Sequence, residues 1–392
     1  MLPYGRQTIT DDDIAAVVEV LQSPLLTCGP VVARFERAIA DFVGAPFASV
    51  CSSGTAALHL AYAALGIGPG DEIITTPITF SATAAAAYYV GATVRIADVD
   101  PRTGNLDPAS VEALITERTK AIVPVHLAGM PVDLAELSAI ARRHGLFLVE
   151  DACHALGATY RGAPIGAGDS DAVVFSFHPV KHITTGEGGA VITRTAEMRR
   201  RIEQLRQHGV ERDHARLRSP AEGPWSYEIQ ELGWNYRLPD IACALGLTQL
   251  AKLNGFVAAR RSLAAMYRTA LARVLPDVAT PVECDDRESA YHLFAVAIDF
   301  AAHGTTRDAV MRALSAEGIG TQVHYIPLLQ HPLHAARCAG ELSRSRPGTD
   351  HYYARTLSLP LFPTMTAADV DRVVDALHRT LTSRAAHPGV TR

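Results

Sequence analysis

The chain lacks a Cys-x-x-Cys pair, a leader-like amino terminus, an internal repeat and any marked excess of one charge. Each absence excludes something. Its six cysteines (Cys28, Cys51, Cys153, Cys243, Cys284, Cys338) are scattered, which argues against a disulfide framework or a zinc site and fits a reducing compartment. Residues 1–10 carry neither an apolar core nor a basic flank, so no secretory signal is visible and a soluble, cytoplasmic protein is expected. The most apolar stretch reads as residues 81–94, which is Ala-rich, contains Gly91 and is shorter than the roughly 20 residues a membrane span takes. A formal net charge of −5 speaks against general affinity for nucleic acid or anionic membranes.

What is present is length and rhythm. At 392 residues the chain exceeds one simple core, because domains usually run about 100–200 residues. β-Branched and apolar runs at 47–51, 72–76, 93–97, 121–125, 146–149 and 172–177 predict strands. Helical patterns fall between them at 55–65, 81–90, 108–116 and 134–144, and an acid-rich start after Thr10 opens another. Strand and helix in alternation predict a mostly parallel sheet covered on both faces, with ligands at the carboxyl ends of its strands. Residues 211–231 read as a long irregular loop, and 238–267 as a helix leading into a second set of elements. There, strands are expected at 291–298 and 320–325, helices at 307–317 and 367–381, and fraying over the last ten residues. The division is a large domain over 1–250 and a smaller α/β domain over 251–392.

Three segments at strand ends carry chemistry. Ser52-Ser53-Gly54-Thr55 opens a helix, where small residues and free N–H groups suit a phosphate; it reads equally as a plain capped turn. Leu148-Val149-Glu150-Asp151-Ala152-Cys153-His154 delivers Asp151 to a strand end. There a carboxylate can hold a proton on a pyridine nitrogen, or simply cap a helix. His154 can meet a ring hydroxyl or serve packing. Lys181 lies between Phe175-Ser176-Phe177-His178-Pro179-Val180 and a glycine-rich turn, a setting that favours partial burial and a nucleophilic amine, although most lysines are surface groups.

Together, SGTAAL, EDACHALGA, SFHPVKHITTGEGG and GWNYRLPDIACALGLTQL resemble the DegT/DnrJ/EryC1/StrS family of nucleotide-sugar aminotransferases, in the family's order and over nearly the whole chain. The resemblance implies an α/β chain of PLP-dependent transferase fold type I, with a mostly parallel seven-stranded sheet flanked by helices and a smaller carboxyl-terminal α/β domain. It implies pyridoxal 5'-phosphate on Lys181 as a Schiff base, Asp151 at the ring nitrogen and His154 at the ring hydroxyl. Gly54, Thr55 and Ser176 then fall on the phosphate side. Phe80 covers the ring, a core Phe being the alternative, and Asn235 reaches the phosphate from a neighbouring subunit. A homodimer with shared active sites follows. The opening, Leu26-Thr27-Cys28-Gly29-Pro30 and HPVKHITTGEGG resemble a branch that aminates the C4 ketone of a UDP-4-keto-6-deoxy-N-acetylhexosamine with L-glutamate in pseudaminic acid biosynthesis. Tyr4, Leu26, Thr27, His324 and Tyr325, with Gly54, Ser176 and Asn235, then match substrate positions, capping and packing being the alternative uses of Tyr4, Leu26, Thr27, His324 and Tyr325. Arg237 is a further candidate, for a diphosphate. Amination of another 4-keto nucleotide sugar (the GDP-perosamine or UDP-4-amino-arabinose type) and a PLP-binding regulator without turnover are the other readings.

Overall fold

Runs such as Phe147-Leu148-Val149 are apolar at consecutive positions, so both faces of the strands they form must be covered. The computed structural model describes residues 1–382; the final ten residues, expected to fray, lie outside the described residues. Seven strands form one sheet: β1 (Phe47–Cys51), β2 (Glu72–Thr75), β3 (Thr93–Ile96), β4 (Thr119–Val123), β5 (Phe147–Asp151), β6 (Ala172–Ser176) and β7 (Gly189–Thr193). Their order is β1-β7-β6-β5-β4-β2-β3, and β7 alone runs against its neighbours. The sequence reading passes over β7. The twelve residues between β6 and β7 (177–188) are too few for a crossover helix, so the chain returns beside β6 as an antiparallel partner.

The helices of this part are α1 (Asp11–Leu21), α2 (Pro30–Val43), α3 (Gly54–Ala64), α4 (Ala82–Tyr89), α5 (Pro108–Glu112), α6 (Leu134–His144), α7 (Ala196–Leu205) and α8 (Asp240–Val274). Alternate residues of a strand serve opposite faces. Val149, Val174 and Val191 pack with Leu58 and Leu60 of α3 and Ala84 and Ala87 of α4. On the other face Val173, Phe175 and Ile192 meet Phe35 and Ile39 of α2 and Leu253 of α8, while Leu148 meets Leu137 and Ile140 of α6. α6 has a complete set of end signals: Asp133 accepts from the Glu136 N–H at 3.3 Å, Arg142, Arg143 and His144 occupy the last turn, and Gly145 turns left-handed after it.

α8 runs for 35 residues, about 52 Å at 1.5 Å per residue. Among the described residues it, and not the 81–94 stretch, has the length and hydropathy of a membrane span. It is instead a core helix, packed by α1 and α2. Its first turn caps another helix: Asp240 accepts from the N–H groups of Gly29 (2.7 Å) and Val31 (2.9 Å) at the start of α2. Farther along, Gln249 (2.8 Å) and Lys252 (2.7 Å) hold the buried Asp13 of α1.

Beyond Val257 the apolar face of α8 changes partners. Leu263, Tyr267 and Leu271 join a second core with β8 (Phe294–Ala297), α9 (Arg307–Ala316), β9 (Thr356–Leu359) and α12 (Ala367–Thr382). β8 and β9 pair antiparallel. The strand expected at 320–325 does not form. Only Gln322 bridges, to Ser358, because residues 323–326 turn aside to line a cavity. Between α9 and α12, residues 328–349, including α10 (Pro332–Arg337) and the start of α11 (Pro347–Arg355), strap back over the edge strand β3. There Arg346 donates to the Ile96 carbonyl (2.9 Å) and Glu341 accepts from Arg95 (2.5 Å) and Arg346 (2.8 Å). The strap covers an edge that would otherwise present unpaired N–H and C=O groups.

Candidate active site

A cavity of about 1010 Å³ opens at the carboxyl ends of β1, β5 and β6, where a parallel sheet presents the residues that follow its strands. Asp151, the last residue of β5, is buried there. The Thr83 hydroxyl on α4 donates to its Oδ2 at 2.7 Å and the Cys153 N–H to its Oδ1 at 3.2 Å, leaving a fixed carboxylate facing the cavity. Lys181 comes from the short connection between β6 and β7 and lines the same space half-buried. Burial lowers its ammonium below the ordinary value of 10.5, against the opposing pull of Cys153 and Asp151. A shift in that direction favours the free, nucleophilic amine.

His154 is buried and shares a 3.1 Å hydrogen bond between its Nε2 and the Tyr325 hydroxyl. Its ring lies 4.3 Å from that of His292. Burial first, then the Lys181 charge, holds this imidazole well below 6.5, so it is neutral. His182, directly after the lysine, is neutral for the same first reason and donates from Nε2 to the Ala290 carbonyl at 3.1 Å, turned to a structural use.

The opposite end is built of small groups. Ser52, Ser53, Gly54 and Thr55 line it as β1 turns into α3, with Ser176 across the turn. Ser53 caps α3 by accepting from Ala56 N–H at 3.1 Å, which leaves the N–H groups of Gly54 and Thr55, the first two of the helix, without intrahelical partners. A Cβ on Gly54 would stand 3.0 Å from the Ser176 Cβ and 3.2 Å from the Cys153 sulfur. One on Gly189 would stand 2.5 Å from the Ser53 carbonyl oxygen. Both glycines keep the turn tight.

Phe80 lines the cavity and is 62% exposed, a bare aromatic face inside a concave site. Tyr4, with its ring 5.4 Å from that of the buried His324, and Tyr325 complete the wall. Thus Tyr4, Gly54, Thr55, Phe80, Asp151, His154, Ser176, Lys181, His324 and Tyr325 come together around one space. Leu26, Thr27 and Asn235 do not: within a single chain they are exposed and lie off the cavity, and Arg237 does not line it either. Thr83, His292, Leu333 and His334 belong to the site and escape the sequence reading. For Thr83 a signal exists, since it is the only aliphatic hydroxyl in an alanine-rich helix. The other three sit in segments with no motif.

Hydroxyls and helix N–H groups at one end suit a phosphate. A carboxylate, a neutral imidazole, an amine and an open aromatic face at the other suit a pyridine aldehyde. The residues therefore fit pyridoxal 5'-phosphate, and fold and site define a PLP-dependent transferase of fold type I. Comparison with known proteins agrees. The chain is 43% identical over 377 residues to the spore coat polysaccharide biosynthesis protein SpsC of Bacillus subtilis, covering 96% of each. Its fold matches that of Helicobacter pylori PseC, an aminotransferase involved in the biosynthesis of pseudoaminic acid, with a TM-score of 0.89 at 32% identity over 98% of this chain and 100% of that one. It also matches the putative sugar aminotransferase Spr1654 of Streptococcus pneumoniae in its PMP form, with a TM-score of 0.88 at 28% identity over 97% and 99%. The chain belongs to the DegT/DnrJ/EryC1/StrS aminotransferase family, whose model matches residues 7–378.

Proposed function

We propose that this sugar aminotransferase aminates the C4 ketone of a UDP-4-keto-6-deoxy-N-acetylhexosamine with L-glutamate as donor, yielding UDP-4-amino-4,6-dideoxy-N-acetyl-β-L-altrosamine for pseudaminic acid biosynthesis. The observation that carries the reading is the wall of Tyr4, His324 and Tyr325 facing Lys181, Asp151 and His154 across one cavity. Bound pyridoxal phosphate supplies the electron sink for a carbanion. The protein does the rest. Lys181, as the free amine, takes the proton from the donor's α-carbon in the first half-reaction and delivers a proton to the sugar C4 in the second. Asp151, fixed by Thr83, favours a proton on the ring nitrogen. With the cofactor bound, His154 and Tyr325 would meet the ring hydroxyl, Phe80 would cover one face, and Ser52 to Thr55 with Ser176 would anchor the phosphate.

A second copy of the chain completes the site in this reading. Among the described residues Lys181 is the only lysine lining the cavity and no arginine does, which is little positive charge for a nucleotide diphosphate. Asn235 and Arg237 lie outside the cavity, as do Leu26 and Thr27, and reach a neighbour's site in a homodimer. Exposed Trp225, Tyr227, Ile229 and Leu232 nearby supply apolar contact surface. The likeness to SpsC, a spore coat polysaccharide protein, favours as second reading another 4-keto nucleotide sugar. Incubation with glutamate and a panel of UDP- and GDP-linked 4-keto sugars, with NMR and mass spectrometry of the products, separates the two. Preferred turnover of a keto sugar without the N-acetyl group would sink the first reading.

A further inference from the structure

Against the Lys181 loop lies a second cavity of about 10 Å³, room for one small ion or one water. Arg6, Thr8, Lys181, His182, Gln249 and Arg260 are among its walls, and no carboxylate lines it among the described residues. Arg260 of α8 has no exposed surface. Its Nη1 donates to the carbonyls of Tyr291 (3.2 Å), His292 (3.2 Å) and Leu361 (2.9 Å), joining the two cores. Its Nε and Nη2 have no partner, nor has the buried Thr8 hydroxyl. The Gln249 amide is engaged with other groups: its Nε2 donates to the Thr8 carbonyl (2.9 Å) and to Asp13 (2.8 Å).

A buried guanidinium held only by neutral carbonyls carries an uncompensated charge, and orphaned buried donors are costly. Donors and cations surround the open space beside it. We propose that this cavity binds a single monovalent anion of chloride size, held by Arg260 Nε and Nη2 and the Thr8 hydroxyl. The ion is the counter-charge of Arg260 and ties the amino-terminal segment to α8 and the loop of Lys181. Its cavity shares only Lys181 with the sugar and cofactor site and does not depend on the reaction assigned above.

Crystals of the full-length holoenzyme soaked in sodium bromide are expected to show an anomalous peak within hydrogen-bonding distance of Arg260 Nε and Nη2. A map without signal there, with a water in that place, overturns the proposal. Thermal midpoints in chloride or bromide are expected to rise saturably above those in gluconate at equal ionic strength, and superimposable curves count against the site. Replacing Arg260 endangers folding, so the informative variant is Thr8→Val. It is expected to raise the half-effect halide concentration about tenfold; an unchanged value removes Thr8 from the site.

Discussion

Removing the Thr83 hydroxyl takes away the 2.7 Å hydrogen bond that Asp151 Oδ2 accepts inside the protein. Hydrogen bonds to charged groups contribute about 1.5–3 kcal/mol. Thr83→Val is therefore expected to lower kcat about tenfold or more and to shift the pH midpoint of the bound cofactor's visible absorbance. A variant with unchanged kcat and spectrum would make Thr83 a packing residue. Lys181→Ala is expected to abolish turnover, and borohydride reduction of the native enzyme to fix the cofactor to the peptide containing Lys181. A label on any other peptide removes that assignment. At this scale the sequence is informative where a strand end delivers the group: Asp151 closes β5, and Lys181 follows β6. It is silent where the partner comes from afar. Thr83 meets Asp151 across 68 positions and Ser81 meets His334 across 253, and no local spacing records such distances.

α1 and α4 are positioned by side chains from other elements. Asp13 is fully buried, and although burial raises a carboxyl's pKa, hydrogen bonds from Lys252, Thr248 and Thr10 bring it from 3.8 down to about 2. The folded form thus stays charged where the unfolded chain has taken up a proton. The stabilisation is complete above the unfolded value and is lost as pH falls through about 2. Asp13→Asn is expected to cost about 2 kcal/mol at neutral pH and progressively less below pH 3.8, read from urea midpoints. A cost that holds constant across that range would place the effect outside ionisation. His334 of the strap shares hydrogen bonds with Ser81 (2.8 Å) and Tyr88 (3.2 Å), gripping α4 at both ends. Since α4 carries Thr83 and follows Phe80, His334→Ala is expected to weaken cofactor binding about tenfold, while His334→Gln retains part of it. Titration of the apoenzyme with pyridoxal phosphate measures this, and equal affinities would leave the strap a cover only. Apolar runs made most sheet strands legible. β7 is hard to read because the crossover rhythm breaks there, and 320–325 has the pattern of a strand although it serves a cavity wall, not a ladder.

At the scale of the molecule, the exposed apolar side chains of residues 225–232 call for a covering surface. Trp225 is 70% exposed and Leu232 83%. If the proposed homodimer forms through this surface, the double variant Trp225→Glu, Leu232→Glu is expected to be monomeric by light scattering and to lose at least tenfold in kcat/KM, as the proposed contribution of Asn235 to the neighbouring site requires. A monomeric variant with full activity would show each chain complete by itself. The alternation of strands and helices made the layered sheet legible, but which surface meets a second copy leaves no period in the sequence.

The unbroken course of α8 through both cores has a consequence for any attempt to divide the protein. Its leading turns complete one interior and its trailing turns the other, so a cut within it strips an oily flank from each fragment. The two halves are not interchangeable modules, and chimeras with relatives must carry this rod whole, drawing their seams through the exposed segments on either side.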